Sequence, residues 1–260
     1  MASILNVAAY RFVALSDPEA LRGQLEARAQ ELDLKGTILL ASEGLNLFLA
    51  GAPPAVKTFL AELSADARFS GLAVKESWSE RVPFRKLRAR VKREIIRMNH
   101  PTIRPDHGRA VAVDAHTLKR WLDAGHDDQG RSVVMLDTRN DFEILAGRFS
   151  GAVDLGLQKF SDFPAAIEKA REQFDGKTVV SYCTGGIRCE KAALFMNQIG
   201  LRHHFQLEGG ILAYFEHVGG EHFEGSCTVF DERRALTSGL EPEVLEAARE
   251  SASPAPEQAH

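Results

Sequence analysis

The sequence has no apolar run that approaches the ~20 residues needed to cross a bilayer, so it predicts no membrane-spanning helix. Residues 1–7 lack the basic and apolar regions of a secretory signal. Cysteine is scarce, because the chain contains only three, and two of them lie in one loop. Such a set cannot build the disulfide framework of a small secreted domain. These absences predict a cytoplasmic protein with reduced thiols.

The chain also lacks an excess of positive charge, since its formal net charge is −4. This excludes a uniformly basic nucleic-acid binder, although a local basic face remains compatible with it. Residues 81–97 carry eight basic side chains against one acid, Glu94. We call this segment the basic strip. It predicts either a solvated charged face or a surface that contacts phosphates, and the sequence favours neither.

The first third of the chain alternates between strand-like and helix-like patterns. Strands are predicted over 7–15, 36–41, 45–50 and 72–76, and helices after Ser16 and over 53–63. A cap candidate at Ser16, followed by Pro18, favours the first helix start. Leu21, Leu25, Ala29 and Leu32 would form its apolar stripe. The order βαββαβ predicts a ferredoxin-like sandwich with helices on one face of a small sheet.

A second α/β domain follows. Helices are predicted over 116–124 and 164–174 and from Cys189 onward, and strands over 132–136, 178–182 and 203–207. Strands that alternate with helices predict a parallel sheet flanked by helices, with ligands bound beyond the carboxyl ends of the strands.

The predicted domain organisation has four parts. Residues 1–98 form the ferredoxin-like domain that ends in the basic strip, 99–109 a linker, 110–233 the second domain and 234–260 a C-terminal extension. The linker contains two prolines and a glycine. Residues 250–260 are rich in Ala, Ser, Pro and Glu, which predicts disorder at the end of the chain.

The segment Cys183-Thr-Gly-Gly-Ile-Arg-Cys189 follows a predicted strand and precedes a helix. Backbone N–H groups in such a turn, the helix N-terminus and Arg188 all favour an anion. They therefore favour the thiolate of Cys183, which is the reactive form. We interpret Cys183 as a nucleophile or sulfur carrier and Arg188 as an anion-stabilising residue. Thr184, Gly185, Gly186 and Ile187 complete the active-site loop.

Each of these cysteines also has a structural alternative. An isolated cysteine after a strand is usually a small buried hydrophobe, and only the glycine pair, Arg188 and the strand–helix context favour reactivity at Cys183. Cys189 is either a resolving thiol or a small packed residue, and the sequence leaves both open.

Four motifs of the second domain resemble, in order, those of rhodanese domains. They span residues 136–143, 147–152, 182–188 and 207–211. In that family the cysteine at the position of Cys183 carries sulfur as a persulfide. The six-residue loop is that of sulfurtransferases, whereas related phosphatases use a loop one residue longer.

The resemblance extends to a particular family. Residues 36–46, 83–96, 183–191 and 229–233 resemble those of bacterial tRNA uridine-34 hydroxylases, which join a ferredoxin-like domain to a rhodanese-like domain. This resemblance implies an oxidoreductase that converts the wobble uridine of tRNA to 5-hydroxyuridine. It implies molecular oxygen as co-substrate, a required Cys183 and no firmly indicated cofactor. Many members carry a cysteine-rich C-terminal extension, whereas here only Cys227 lies beyond the loop.

The resulting hypothesis places the anticodon arm of tRNA on the basic strip. Phosphates would contact Arg85, Lys86, Arg88 and Lys92, since phosphate contacts supply position and much of the affinity. Cys183 would then either add to the pyrimidine ring or act on oxygen as a persulfide, and both roles fit the sequence. The oligomeric state is left open.

Other interpretations concern the same residues. A sulfurtransferase or a non-enzymatic, sulfur-carrying RNA-binding adaptor would use the Cys183 loop equally well. Glu43 and Asn46 are either polar contributors to the active site or, as turn preferences favour, ordinary hairpin residues. His217, His222 and Cys227 match no standard zinc spacing, so no metal site is predicted.

Overall fold

The structure is a computed structural model that describes residues 3–243. The N-terminal domain contains β1 (Ile4–Phe12), α1 (Pro18–Glu31), β2 (Lys35–Ala41), β3 (Gly44–Gly51), α2 (Pro53–Ala65) and β4 (Val74–Ser79). Its strands lie in the order β4-β1-β3-β2, and β1 is antiparallel to both of its neighbours. The predicted ferredoxin-like βαββαβ fold is therefore confirmed.

Helical spacing explains how the helices cover one face of this sheet. Leu21, Leu25 and Ala29 recur every four residues in α1 and are buried, as the stripe predicts. In β1, Leu5 and Val7 alternate with polar or small residues and pack into the same core. The alternate β1 side chains, which include that of Tyr10, therefore lie on the opposite face, away from α1 and α2.

Part of the basic strip is a strand. β5 (Leu87–Val91) pairs in parallel with β2 and adds a fifth strand at the edge of the sheet. Leu87, Ala89 and Val91 pack against the core, whereas Arg88 and Arg90 alternate with them and are exposed. This strand of the basic strip is thus amphipathic, with Arg88 and Arg90 on one face.

The second domain has a five-stranded parallel sheet in the order β6-β11-β10-β7-β9. These strands are β6 (Ala112–Val113), β7 (Val133–Asp137), β9 (Val153–Asp154), β10 (Thr178–Tyr182) and β11 (His204–Leu207). Its helices are α3 (Ala115–Ala124), α4 (Asp141–Ile144), α5 (Phe163–Lys169), α6 (Ile187–Gln198) and α7 (Gly210–Val218). The predicted parallel sheet flanked by helices is confirmed.

The two faces of this sheet have separate cores. Val179 of β10 packs in the cluster that includes residues of α5 and α6, and Val180 packs with residues of α3 and α7. Four short strands complete the domain: β8 (Gly147–Phe149), β12 (Phe223–Gly225), β13 (Cys227–Thr228) and β14 (Ala235–Leu236). β12 pairs with β8, and β14 pairs with β13.

Two predicted helices have different limits in the structure. The helix predicted over 164–174 ends at Lys169, and a separate 3-10 turn covers Arg171–Phe174. The helix predicted from Cys189 begins at Ile187, because Gly186 adopts a left-handed conformation and serves as its N-cap. The disorder predicted for 250–260 lies outside the described residues. Within residues 3–243, no helix combines the length and the apolar character that membrane spanning requires.

Candidate active site

Cys183 lies where β10 ends and the turn into α6 begins. Its Sγ atom accepts a hydrogen bond from the Gly186 N–H at 3.1 Å. Gly210, at the start of α7, closes the loop from the other side, since a Cβ there would lie 2.4 Å from the Cys183 carbonyl oxygen. The structure therefore places the predicted cysteine in a turn whose backbone donors point to its sulfur.

The surroundings of Cys183 favour its thiolate. Burial alone would raise the pKa of Cys183, but a hydrogen bond from Cys189, the charge of Arg188 and the N–H groups of Arg188 and Gly186 outweigh it. The pKa of Cys183 therefore lies well below its ordinary value. An anionic sulfur at neutral pH is the form that nucleophilic attack or sulfur transfer requires.

Cys189 is a buried free thiol beside Cys183. Burial and the neighbouring Cys183 anion raise the pKa of Cys189, so this residue remains a thiol. Its Sγ atom lies 3.6 Å from the hydroxyl of Thr138. The Cys189 thiol favours the neighbouring Cys183 anion, and the role of Cys189 as a resolving thiol stays a prediction.

Arg188 forms an ion pair with Glu143, a residue for which the sequence predicted no role. Both terminal nitrogens of its guanidinium contact Glu143 of α4, at 2.5 and 2.7 Å, and both side chains are buried. Its Nε atom is buried without a hydrogen-bond partner among residues 3–243. Arg188 thus contributes charge to the loop while each of its two terminal nitrogens donates to Glu143.

The N-terminal sheet covers the loop with its helix-free face. A Cβ at Gly186 would lie 3.0 Å from the Tyr10 hydroxyl, and a Cβ at Gly185 would lie 4.0 Å from two carbon atoms of the Lys75 side chain. Tyr10 also donates a hydrogen bond to Glu190 of α6 at 3.3 Å. Cys183 itself has 0% exposed surface. The reactive cysteine is thus fully buried, and the other domain lies over its loop.

Tyr10 and Lys75 both have shifted acidities. Burial, reinforced by the charge of Glu190, raises the pKa of Tyr10 well above its usual value. Burial lowers the pKa of Lys75, whose ammonium lies 5.6 Å from the centre of the Tyr10 ring. No ion-pair partner for Lys75 occurs within the described chain, residues 3–243. Only the alternating pattern of β1 and β4 could have pointed to these two residues.

A second set of interdomain contacts centres on Lys191 of α6. Its buried ammonium contacts Glu43 at 2.8 Å, Glu94 at 2.6 Å and the Ile96 carbonyl at 2.9 Å. Burial raises the pKa of Glu43 despite the opposing effect of Lys191. The single acid of the basic strip, Glu94, is therefore an interdomain contact.

Glu43 and Asn46 contact the end of the basic strip. Glu43 accepts a hydrogen bond from the Ile95 N–H at 2.8 Å, and Asn46 donates one to the Ile95 carbonyl at 3.4 Å. Of the two, Glu43 also reaches the second domain through Lys191, and neither residue hydrogen-bonds to the Cys183 sulfur.

The basic residues assigned to RNA binding lie together on the surface. Arg85, Lys86, Arg88 and Lys92 are all exposed. Arg85 forms an exposed ion pair with Glu232 at 3.0 Å. Lys86, Arg88 and Lys92 form no ion pair within residues 3–243. Within the part of the chain that the structure describes, these three side chains have no acidic partner, which fits both a solvated charged face and a surface that contacts phosphates.

The residues considered for a metal site have separate surroundings. His222 contacts Asp123 at 2.7 Å, and Cys227 is buried, which raises the pKa of its thiol to about 12. Within residues 3–243, no group of three or more His, Cys, Asp or Glu side chains is arranged to hold a metal ion.

The sequence matches two known domain families. Residues 4–95 match the UPF0176 acylphosphatase like domain, and residues 114–217 match the rhodanese-like domain. A tRNA uridine(34) hydroxylase of Variovorax paradoxus (strain S110) is 58% identical over 252 residues, which are 97% of this chain and 96% of that protein. Another from Bordetella avium (strain 197N) is 60% identical over 240 residues, 92% of this chain and 99% of that protein. Among solved structures, a rhodanese-related protein from Thermoplasma volcanium has 21% identity and a TM-score of 0.33, covering 42% of this chain and 93% of that chain.

Proposed function

The chain belongs to the tRNA uridine(34) hydroxylase family, and we propose that it hydroxylates uridine 34 of tRNA with the Cys183 loop as its active site. The observation that carries this proposal is the high identity to hydroxylases over nearly the full length of both chains. The lowered pKa of Cys183 supports the position of the site. Because the substrate is tRNA, we also place the protein in the cytoplasm.

The product is 5-hydroxyuridine, with molecular oxygen as the co-substrate. Replacement of the C5–H bond by C5–OH inserts one oxygen atom and oxidises the base by two electrons. The second oxygen atom leaves as water, which takes up two electrons and two protons. A thiol reductant outside the chain supplies these electrons, so each turnover consumes one oxygen molecule and two reducing equivalents.

Cys183 acts as an anion in this reaction. One role is addition of its sulfur to C6 of uridine, which makes C5 electron-rich toward oxygen and is reversed when the C6–S bond breaks. The other role is a Cys183 persulfide that acts on oxygen, with its outer sulfur transferred from an external persulfide donor that is released as a thiol. RNA that carries 5-fluorouridine at the target position separates them. Addition gives a covalent protein–RNA adduct, whereas a persulfide adds the mass of one sulfur atom to the Cys183 peptide.

The anticodon arm would contact the basic strip. Lys86, Arg88 and Lys92 are exposed and carry no acidic partner within residues 3–243, so they are available to phosphates. Arg85 must first separate from Glu232, which costs little because the pair is exposed. Recognition of an unpaired loop base fits the general behaviour of sequence-specific RNA-binding proteins.

Entry of the base into the loop requires movement of the covering residues. Cys183 has no exposed surface, and Tyr10 and Lys75 lie over the loop glycines. The tRNA-bound state therefore differs from this one by displacement of the N-terminal sheet from the loop, or at least of these two side chains.

The direct test is mass spectrometry of nucleosides from bulk tRNA of cells with and without the gene. We expect loss of 5-hydroxyuridine and its derivatives in the deletion strain, restored by the wild type and not by Cys183→Ser. An unchanged nucleoside profile, in cells with no second hydroxylation route, would refute the proposal and favour sulfur transfer.

A further inference from the structure

A groove runs along the surface between the basic strip and the second domain. Its walls include Phe84, Lys86 and Arg88 on one side and Phe142 and Phe230 on the other. We call it the outer groove. A backbone hydrogen bond from the Glu232 N–H to the Pro83 carbonyl, 3.1 Å long, joins the two sides. The groove is therefore formed only where the domains meet.

Two aromatic side chains in this groove are unusually exposed. Phe142 is 56% exposed and Phe230 is 53% exposed. Within residues 3–243, Trp78 is the one further aromatic residue among the exposed large hydrophobic side chains, and it does not line this groove. Clustered aromatic exposure beside polar walls is typical of a binding surface and uncommon on inert protein surface.

The charges of the groove select the kind of partner. Lys86 and Arg88 lack acidic partners in the described residues, and the carboxylate of Glu232 is engaged by Arg85. Asp231 is likewise held by Arg233 at 2.5 Å. Exposed aromatic rings beside cations that have no acidic partner in the described residues are what single-stranded nucleic acid needs, because bases stack on the rings while phosphates contact the cations.

The outer groove also adjoins the active site. Phe84 and Phe230 line a second, inner cavity that contains Thr184 of the Cys183 loop and Lys75. The Phe230 ring lies 6.0 Å from the Arg188 guanidinium carbon. A base stacked in the outer groove is therefore next to the space that leads to the loop.

We propose that Phe142 and Phe230 form a stacking platform for the unpaired nucleotides that flank the target uridine. The target nucleotide itself would turn inward past Phe84 and Phe230 toward Thr184. This inference rests on the proposed function, since it assumes that the unpaired loop of tRNA is the ligand. It adds a binding site made of side chains that carry no charge and that take no part in the reaction of Cys183.

The test compares full-length variants in which the ring is removed but the apolar volume is largely kept. Phe142→Leu and Phe230→Leu remove stacking, whereas Phe142→Tyr and Phe230→Trp retain it. Trp78→Leu is the matched control, because Trp78 is also exposed but lies outside the groove. The probe is an anticodon stem–loop RNA with uridine at the target position, and its Kd is measured by fluorescence anisotropy at several salt concentrations.

We expect each leucine variant to raise the Kd between about fivefold and a hundredfold, the range for loss of one base stack. The salt slope should not change, since no phosphate contact is lost. The tyrosine and tryptophan variants and Trp78→Leu should bind like the wild type. An abasic nucleotide beside the target should weaken wild-type binding and have little further effect on the leucine variants.

Two outcomes would overturn the platform. Leucine variants that bind RNA as tightly as the wild type would show that the rings do not stack. The same conclusion would follow if the abasic nucleotide weakened binding by the leucine variants as much as it weakens binding by the wild type. Hydroxylation of intact tRNA by the wild type is measured in parallel. If the wild type hydroxylates tRNA and the leucine variants bind normally, the platform fails alone. If the wild type neither binds the RNA nor hydroxylates tRNA, both the proposed function and the stacking platform are wrong.

Discussion

Lys191, in the helix that follows the reactive loop, forms an ion pair with Glu43 of the N-terminal domain, with its ammonium nitrogen 2.8 Å from the carboxylate. The Lys191 side chain is 2% exposed, and it also contacts Glu94. One buried cation thus joins two carboxylates of the N-terminal domain to the helix whose N-terminus supports Cys183. This cluster is a direct contact between the N-terminal domain and the helix that follows the loop.

Replacement of Lys191 by methionine should destabilise the protein strongly. It leaves the carboxylates of Glu43 and Glu94 close together without their cation, and a broken buried pair costs about 3–5 kcal/mol. Urea denaturation of the variant gives the free energy of unfolding. Lys57→Met, at an exposed position of α2, is the control and should be close to the wild type. Equal stability of the two variants would contradict the role of Lys191.

Tyr10 should control access of reagents to Cys183. Tyr10→Ala removes the ring that lies over Gly186, so a small alkylating reagent should modify Cys183 faster, as measured by mass spectrometry of its peptide. Tyr10→Phe keeps the ring and loses only the hydrogen bond to Glu190. It should therefore react at nearly the wild-type rate. The same rate in all three proteins would mean that Tyr10 does not close the site.

The acidity of Cys183 should depend on Cys189. Burial opposes ionisation of Cys183, and the hydrogen bond from Cys189 is the largest influence that favours it. Cys189→Ala should therefore raise the pKa of Cys183, which is measured by ultraviolet absorbance of the thiolate as a function of pH. Cys227→Ala should leave the transition in place, since the Cys227 thiol has a pKa of about 12 and does not ionise there. A transition unmoved by Cys189→Ala would disprove this coupling.

Charge reversal in the basic strip should weaken tRNA binding and its salt dependence. Lys86→Glu, Arg88→Glu and Lys92→Glu each remove an exposed cation, and each lost phosphate contact should lower the salt slope by about one. Lys57→Glu makes the same change in charge outside the strip and serves as the control. If the salt dependence of tRNA binding stays at the wild-type value in the triple variant, the basic strip does not contact the phosphates of tRNA.

Acid stability should depend on Asp127. Burial opposes ionisation of Asp127, but hydrogen bonds from the Thr178 hydroxyl and from the Arg131 and Gln129 N–H groups lower its pKa to about 2. Because the pKa of Asp127 is lower in the folded than in the unfolded protein, its ionised form stabilises the fold at any pH above its unfolded-state pKa of about 3.9. This stabilisation is lost as the pH falls toward 2. Asp127→Asn should lower stability at neutral pH and flatten its decline in that acid range. A variant with the wild-type pH profile of unfolding would refute this.

Local patterns in the sequence determined the elements and their order. Period-two and period-four spacing of apolar residues gave the βαββαβ order, and the strand–turn–helix context located Cys183 at a carboxyl strand end. These predictions hold because strand and helix formation depends on neighbours within a few residues. The same locality explains the errors in helix limits, since the α6 start depends on the left-handed conformation of Gly186.

Only the tertiary structure decided which residues surround the reactive sulfur. Glu143 meets Arg188 across 45 positions of sequence, and Tyr10 meets Glu190 across 180. Periodicity states which side chains of β1 share a face, but it does not state what that face covers. The covered Cys183, the Lys191 cluster and the outer groove all form where two domains meet. The proximity of their residues depends on packing between surfaces of two domains, and local sequence patterns do not predict which surfaces pack together.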